Sequence, residues 1–371
     1  MKYGKKQKGF SLLELLVALA ILVIVAGTVI SGMIRMTWSQ STITNRTQVH
    51  SSVRNATEMM QQEIGQAGRI AAQQGLQFTT AITVPAGSAS VSATPPLTTT
   101  AATGTSTDGL YVGEQLIVDP SANIAAGYNE ETVTITAINT TSHTITATFS
   151  YSHAANTPVM VMGGFASGII PPTSKYVFSG TGTTNTQLTA GTSDGSDGYT
   201  LKLYGDIYGD GTMYYVVYSC APNTAGNGTL KRYLVQDVVN GTAGTLGSSG
   251  SLLLDTLATN PLVNGTPAPC FTYTTKDVAV TINGGSVTQT FVVNVAVTLT
   301  IQTQSKDLQT NTAQTETKAL LNISPRNVFD AWELASAPSG YTRAQPMPGN
   351  ILTGLSATGV QGTSLLTATL Q

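Results

Sequence analysis

The chain has 371 residues, a formal net charge of -2 and only 10% charged residues, against about 25% in an ordinary soluble domain. That length admits one large domain or two smaller ones. The near-neutral balance excludes charge-driven disorder, and no basic patch speaks for a nucleic-acid partner. Gly, Ser, Thr, Ala and Asn stand where charges would be, and Thr/Val-rich runs between polar turns point to a β-rich protein.

The chain opens with Lys2, Lys5, Lys6 and Lys8, and then an apolar run from Gly9 to Ile34. Between Leu15 and Ile34 there is no charge; a helix over such a run is about 30 Å long, the thickness of a bilayer's hydrocarbon core. Glu14 is the one charge between the lysines and Arg35. A lone carboxylate in a bilayer costs about 2.5–3.5 kcal/mol on insertion scales, so it needs a reason. The lysines lie before the run and only Arg35 closely after it, which places residues 1–8 in the cytoplasm and everything after Arg35 outside. A secretory signal would have a shorter apolar core with small residues behind it; here the glycine comes first.

Lys8-Gly9-Phe10-Ser11-Leu12-Leu13-Glu14-Leu15-Leu16 resembles the N-terminus of type IV prepilins and type II secretion pseudopilins. The resemblance implies a membrane peptidase that cuts between Gly9 and Phe10 and methylates the new amine of Phe10. Glycine suits the scissile position because no side chain blocks approach to the backbone. It further implies that Glu14 pairs with the mature amine of a neighbouring subunit and sets subunit register in a filament. The catalytic residues then belong to the peptidase and none to this chain. Where the family often carries a proline, this sequence has Ser31 with Gly27 and Gly32 nearby, so the usual kink is not implied.

Residues 10–75 read as one helix, membrane or filament core to residue 34 and polar thereafter. Its second half carries the stripe Val49, Val53, Ala56, Met60, Ile64, Ala67 and Ala71, in steps of three and four, with Gly75 as the stop. Residues 76–107, rich in Thr, Ala, Ser and Pro, read as a linker. A small inserted β module follows over 108–163, with strands at 116–118, 131–136, 144–149 and 159–162 and a hairpin turn at Asn139-Thr140-Thr141-Ser142. The main β domain spans 164–335. Its strands are expected near 199–203, 213–218, 230–235, 278–282, 293–301 and 315–323, with a tight turn at Asn283-Gly284-Gly285. Residues 336–371 read as a flexible tail.

Glu63-Ile64-Gly65-Gln66-Ala67-Gly68-Arg69, the glycine-rich turn from Gly205-Asp206 to Asp210-Gly211, and Pro325-Arg326-Asn327 resemble the W-class minor pilins and, alternatively, the J-class pseudopilins. Cys220 and Cys270 fall on the oxidising side of the membrane and are expected to form a disulfide, two free buried thiols being the alternative. Asp206, Asp210 and Gly211 look like half of a calcium loop, but Tyr208 stands where an oxygen ligand is needed, and a β turn is the simpler reading. His50, His143 and His153 are scattered, and no metal or cofactor is expected. The Gly164–Gly168 stretch is not a nucleophile elbow. The Asn-Gly-Thr triplets at Asn227, Asn240 and Asn264 read as turns.

The expectation is an α+β protein, non-enzymatic, anchored in a bacterial inner membrane and carried to a pilus. Its implied partners are prepilin peptidase, major and minor pilins, the inner-membrane assembly platform and the lipid bilayer. Alternatives are a secretion pseudopilin and a pilus-borne adhesin or DNA-binding module.

Overall fold

The computed structural model describes residues 11–71, 73–100, 105–120, 130–172, 175–178, 185–187, 195–237, 250–282, 285–307, 310–337 and 344–348. It is a mixed α+β protein: a long N-terminal helix followed by antiparallel sheets. By internal contacts the chain divides into two compact units, Met1–Ser51 with Gln302–Glu316, and Ser52–Ile301 with Thr317–Gln371.

Helix α1 spans Leu12–Gln66. It stops before the expected Gly75, and Gly68 is the reason. Gly68 has φ +83, the left-handed conformation that ends helices and that glycine adopts without strain. A side chain there would meet Val328 Cγ2 at 2.8 Å and the Phe165 carbonyl at 3.0 Å. The freed backbone is then used elsewhere: Gly68 N–H donates to Tyr204 O at 3.0 Å, and Phe165 N–H to Gly68 O at 2.9 Å. In the last turns of α1, Val53, Ala56, Met60 and Ile64 are all buried, the stripe its spacing dictates.

Residues 76–107 are not a linker. They supply β1 (Gln77–Phe78), β2 (Val91–Ala93) and β3 (Leu97–Thr98), and bury Leu76, Phe78, Ile82 and Leu97 in the module's own core. The β-rich module therefore starts near Leu76. It continues with β4 (Gln115–Val118), β5 (Glu131–Thr134), β6 (Ala137–Asn139), β7 (Thr144–Phe149) and β8 (Val159–Val161). Two three-stranded sheets result, in the orders β5-β4-β8 and β2-β7-β6, closed over Leu116, Val133, Ile135, Ile145, Ala147 and Phe149. The strand expected over 131–136 changes sheet after Thr134. Its first part pairs with β4, and the hairpin partner of β7 is β6. Asn139 Oδ1 accepts the N–H groups of Thr141 and Ser142 at 3.0 and 3.1 Å, which closes that turn.

The second part begins with β9 (Gly164–Phe165), β10 (Tyr176–Phe178) and β11 (Asn185–Gln187). Its main sheet has β12 (Thr200–Gly205), β13 (Met213–Ala221), β14 (Gly228–Asp237), β15 (Ser251–Ala258), a small hairpin β16–β17 (Leu262–Val263, Thr266–Pro267), β18 (Phe271–Ile282), β19 (Gly285–Gln302) and β20 (Thr315–Ile323). Strand order is β12-β13-β14-β15-β19-β18, with β20 pairing β19. The β18–β19 hairpin runs in register from Phe271↔Val297 to Ile282↔Gly285 with one irregularity at Thr274/Thr275; the Asn283-Gly284 part of the expected turn lies outside the described residues. Strand β15 was not among the expected strands because Leu252, Leu253 and Leu254 run together and its burial does not alternate with period two.

A second helix, α2 (Arg326–Ala335), follows Pro325 and buries Val328 and Ala331. Part of the segment expected to be a tail is structured: β21 (Ala344–Gln345) pairs in parallel with β9, and Met347 is buried. The Gln345 side chain accepts from Gln115 N–H at 2.8 Å and donates to Gln115 O and Met162 O, both at 2.6 Å. Its amide extends the pairing at the N-terminal end of β4, the central strand of its sheet. Residues 349–371 lie outside the described residues.

In the other unit, residues 303–316 meet one face of the helix at positions four apart. Thr42 Oγ1 donates to Asp307 at 3.2 Å, Arg46 Nε to Gln314 at 2.6 Å, and His50 Nδ1 lies 2.9 Å from Glu316.

Candidate functional site

The first turn of α1 is built by Ser11 and Glu14. Leu13 N–H donates to Ser11 Oγ at 3.3 Å, and Ser11 N–H donates to Glu14 Oε2 at 3.4 Å. This is the reciprocal Ser-x-x-Glu arrangement that satisfies orphan N–H groups at a helix start. Glu14 thus has a local capping role, for which Ser11-Leu12-Leu13-Glu14 is the sequence signal, besides the intersubunit role expected of it. Gly9 and Phe10, the expected cleavage pair, lie outside the described residues.

From Leu15 to Ile34 the helix is exposed at every position among the described residues. Leu15, Leu16, Leu19, Leu22, Ile24, Val29 and Ile30 are all more than half exposed. The apolar window has mean hydropathy 2.8, and none of it is buried. Each such side chain left in water forgoes about 1.5–3 kcal/mol relative to burial. The rod therefore demands lipid or other apolar helices around it.

In the head, the last turns of α1 carry a charge network. Glu63 is buried, and Arg232 of β14 grips it through Nη2 at 2.6 Å and Nε at 3.2 Å. Tyr218 of β13 donates its hydroxyl to Glu63 at 2.5 Å, and Tyr208 lies against both Glu63 and Arg232. Burial and the Glu63 charge raise the Tyr218 hydroxyl far above the usual tyrosine range. Burial pulls the Arg232 pKa down, but the hydrogen bond and charge of Glu63 outweigh it and the net shift is upward. The network locks helix to sheet.

Asp206 and Asp210 are spent in the same way. Asp206 accepts Asp210 and Gly211 N–H at 3.1 and 3.4 Å and lies 3.6 Å from Arg69. Asp210 accepts Thr212 N–H and the Tyr214 hydroxyl, both at 2.9 Å. Burial raises the Asp206 pKa, with Arg69 opposing. The stretch is a turn pinned by its own carboxylates, and among the described residues no group of His, Cys, Asp and Glu is placed to hold a metal. His153 instead faces Glu131 at 2.7 Å inside the module.

Cys220, at the end of β13, and Cys270, just before β18, form a disulfide spanning 50 residues. In the chain-entropy model a loop of that size contributes about 4 kcal/mol.

The chain thus carries an apolar helix with a capped acidic first turn and a disulfide-bonded β head. A family model described as the prokaryotic N-terminal methylation motif matches residues 4–30. The match supports a type IV pilin-like protein, implies processing by prepilin peptidase and association with other pilins, and with α1 fits anchorage in the inner membrane. No curated protein and no solved structure matches the chain significantly.

Proposed function

We propose that this chain is a minor pilin that takes part in priming or capping a type IV pilus, a structural and not an enzymatic role. The observation that carries this reading is the uncovered apolar rod behind a prepilin motif. Prepilin peptidase cuts between Gly9 and Phe10 and methylates Phe10. The rod waits in the inner membrane with the head outside. The assembly platform then passes it from lipid to neighbouring pilin helices. There the carboxylate of Glu14 meets the Phe10 amine of an adjacent subunit, since a charge leaving water needs a partner. A minor position is favoured by bulk: the head carries a module with its own core, and repeating that in every layer of a shaft would crowd it.

The test combines a deletion with two substitutions. Deleting the protein should abolish or sharply reduce pili, and the mature chain in sheared pili should begin at Phe10. Glu14→Gln keeps an acceptor for Ser11 N–H and removes the charge, so it should lose co-purification with other pilins; Glu14→Asp should retain part of it. Normal piliation after deletion, with an exported enzyme retained in the periplasm, would replace this reading with a secretion pseudopilin.

A further inference from the structure

The inserted module has an outer surface of unusual regularity. On β5 and the residues after it, Thr132, Thr134 and Thr136 alternate with the buried Val133 and Ile135. On β7, Thr144, Thr146 and Thr148 alternate with the buried Ile145 and Ala147. Period two puts each threonine set on the solvent face. The two sets meet: Thr136 N–H donates to Thr146 O at 2.7 Å, and its Oγ1 to the same oxygen at 3.0 Å. On the other side of β7, Ser92 stands opposite Thr148, and Thr94 Oγ1 lies 3.3 Å from Thr146 Oγ1. Between β5 and β7 the surface sinks into a trough of about 450 Å³, lined by Gly113, Thr132, Thr134, Thr136 and Thr148 around Val133 and Ile135.

Charge limits what fits there. From Ile70 to Ser174 the sequence contains no lysine and no arginine, while Asp108, Glu114, Asp119, Glu130 and Glu131 are acidic. A polyanion such as nucleic acid, whose affinity rests on cations meeting phosphates, finds none here. An added peptide strand is also excluded. The Thr136–Thr146 bond closes one end of the gap, and at the other Glu131 accepts Ser150 N–H at 2.7 Å, so no strand's width is open. What remains is a stiff array of hydroxyls and methyls. Thr136 Oγ1 already donates to Thr146 O and Thr132 Oγ1 to Met162 Sδ at 3.8 Å, so these two offer a ligand their acceptor lone pairs, and β-branched threonine loses little rotamer freedom on binding.

We infer that this trough binds a neutral oligosaccharide, its hydroxyls pairing with threonine hydroxyls and its C–H faces lying on threonine methyls. The inference concerns the module alone and holds whichever machine carries the chain. Weak single sites of this kind gain strength when several are presented together.

The experiment uses the full chain in lipid nanodiscs, free of sugar-based detergents. Cellohexaose, chitohexaose, maltohexaose and a short DNA duplex are titrated by calorimetry. At least one hexasaccharide should bind and the duplex should not. The double variant Thr132→Val, Thr148→Val keeps shape and strand preference and should weaken binding about tenfold, roughly 1.4 kcal/mol, with an unchanged melting temperature. Thr148→Arg, which fills the trough, should abolish it. Failure of all three sugars to bind, binding that both variants leave intact, or binding of the duplex would each overturn the assignment.

Discussion

Glu63 offers the sharpest test of how the head is held to its helix. The side chains of Glu63 and Arg232 are only 7% and 11% exposed, so their pairing is largely shielded from solvent. Glu63→Ala strands the guanidinium of Arg232 and the hydroxyl of Tyr218 without the acceptor each uses now. Removing one member of a buried pair typically costs about 3–5 kcal/mol, because the survivor keeps its desolvation cost and loses its partner. At about 2–4 °C per kcal/mol for domains of 150–250 residues, the melting temperature should fall by roughly 6–20 °C. Glu63→Met with Arg232→Met removes both charges and refills the space with flexible apolar side chains. It should recover most of the loss, since apolar replacement of a buried ion pair is often neutral. The assay is thermal unfolding of the four chains of the double-substitution cycle in one detergent, with the disulfide intact. A Glu63→Met cost below about 1 kcal/mol, or losses that simply add in the double variant, would refute the coupling.

Three further outcomes follow from the geometry. Gly168→Ala would drive a Cβ to 2.2 Å from Gly68 Cα, backbone against backbone; it should cost about 1–3 kcal/mol or more, whereas Gly65→Ala, with nothing within 4 Å, should stabilise by about 0.5–1 kcal/mol, both read as melting temperatures. Glu114 is fully buried, and burial raises its carboxyl well above the usual range. The folded state therefore holds a proton that the unfolded state releases, and this contribution is fully present below the unfolded pKa and is lost as pH rises toward the folded one. Relative to Glu114→Gln, stability should decline by up to about 1.4 kcal/mol per pH unit in that window; parallel pH profiles for the two chains would contradict it. Replacing Cys220 and Cys270 together by alanine should cost about 4 kcal/mol, seen as a lower denaturant midpoint that no longer responds to reductant.

Much of the helix was legible because its signals are local. The uncharged stretch to Ile34 and the three-and-four spacing of Val53, Ala56, Met60 and Ile64 need no knowledge of what lies opposite. The same holds for the period-two run through Val293, Val295 and Val297, whose alternation is a property of the strand itself. The misreadings occurred where local composition and tertiary role diverge. Residues 76–107 look like a linker because Thr, Ser and Pro surround Leu76, Phe78, Ile82 and Leu97, and only the module's closure shows that these side chains share a core. Gly68 and Gly75 are equally good stop signals in one dimension; Gly68 wins because Phe165, Gly168 and Val328 press against it.

By itself, then, the sequence determined the anchor, its motif and the alternation of the long strands, since hydropathy and period are carried by neighbouring residues. Only the tertiary structure decided that Glu63 meets Arg232 across a sequence separation of 169 residues, that the Gln345 amide pairs with Gln115 at the start of β4, and that two threonine runs face outward side by side. Such pairings depend on chain reversals whose register no single stretch encodes, because a buried partner is chosen by the whole packed core and not by the residues beside it.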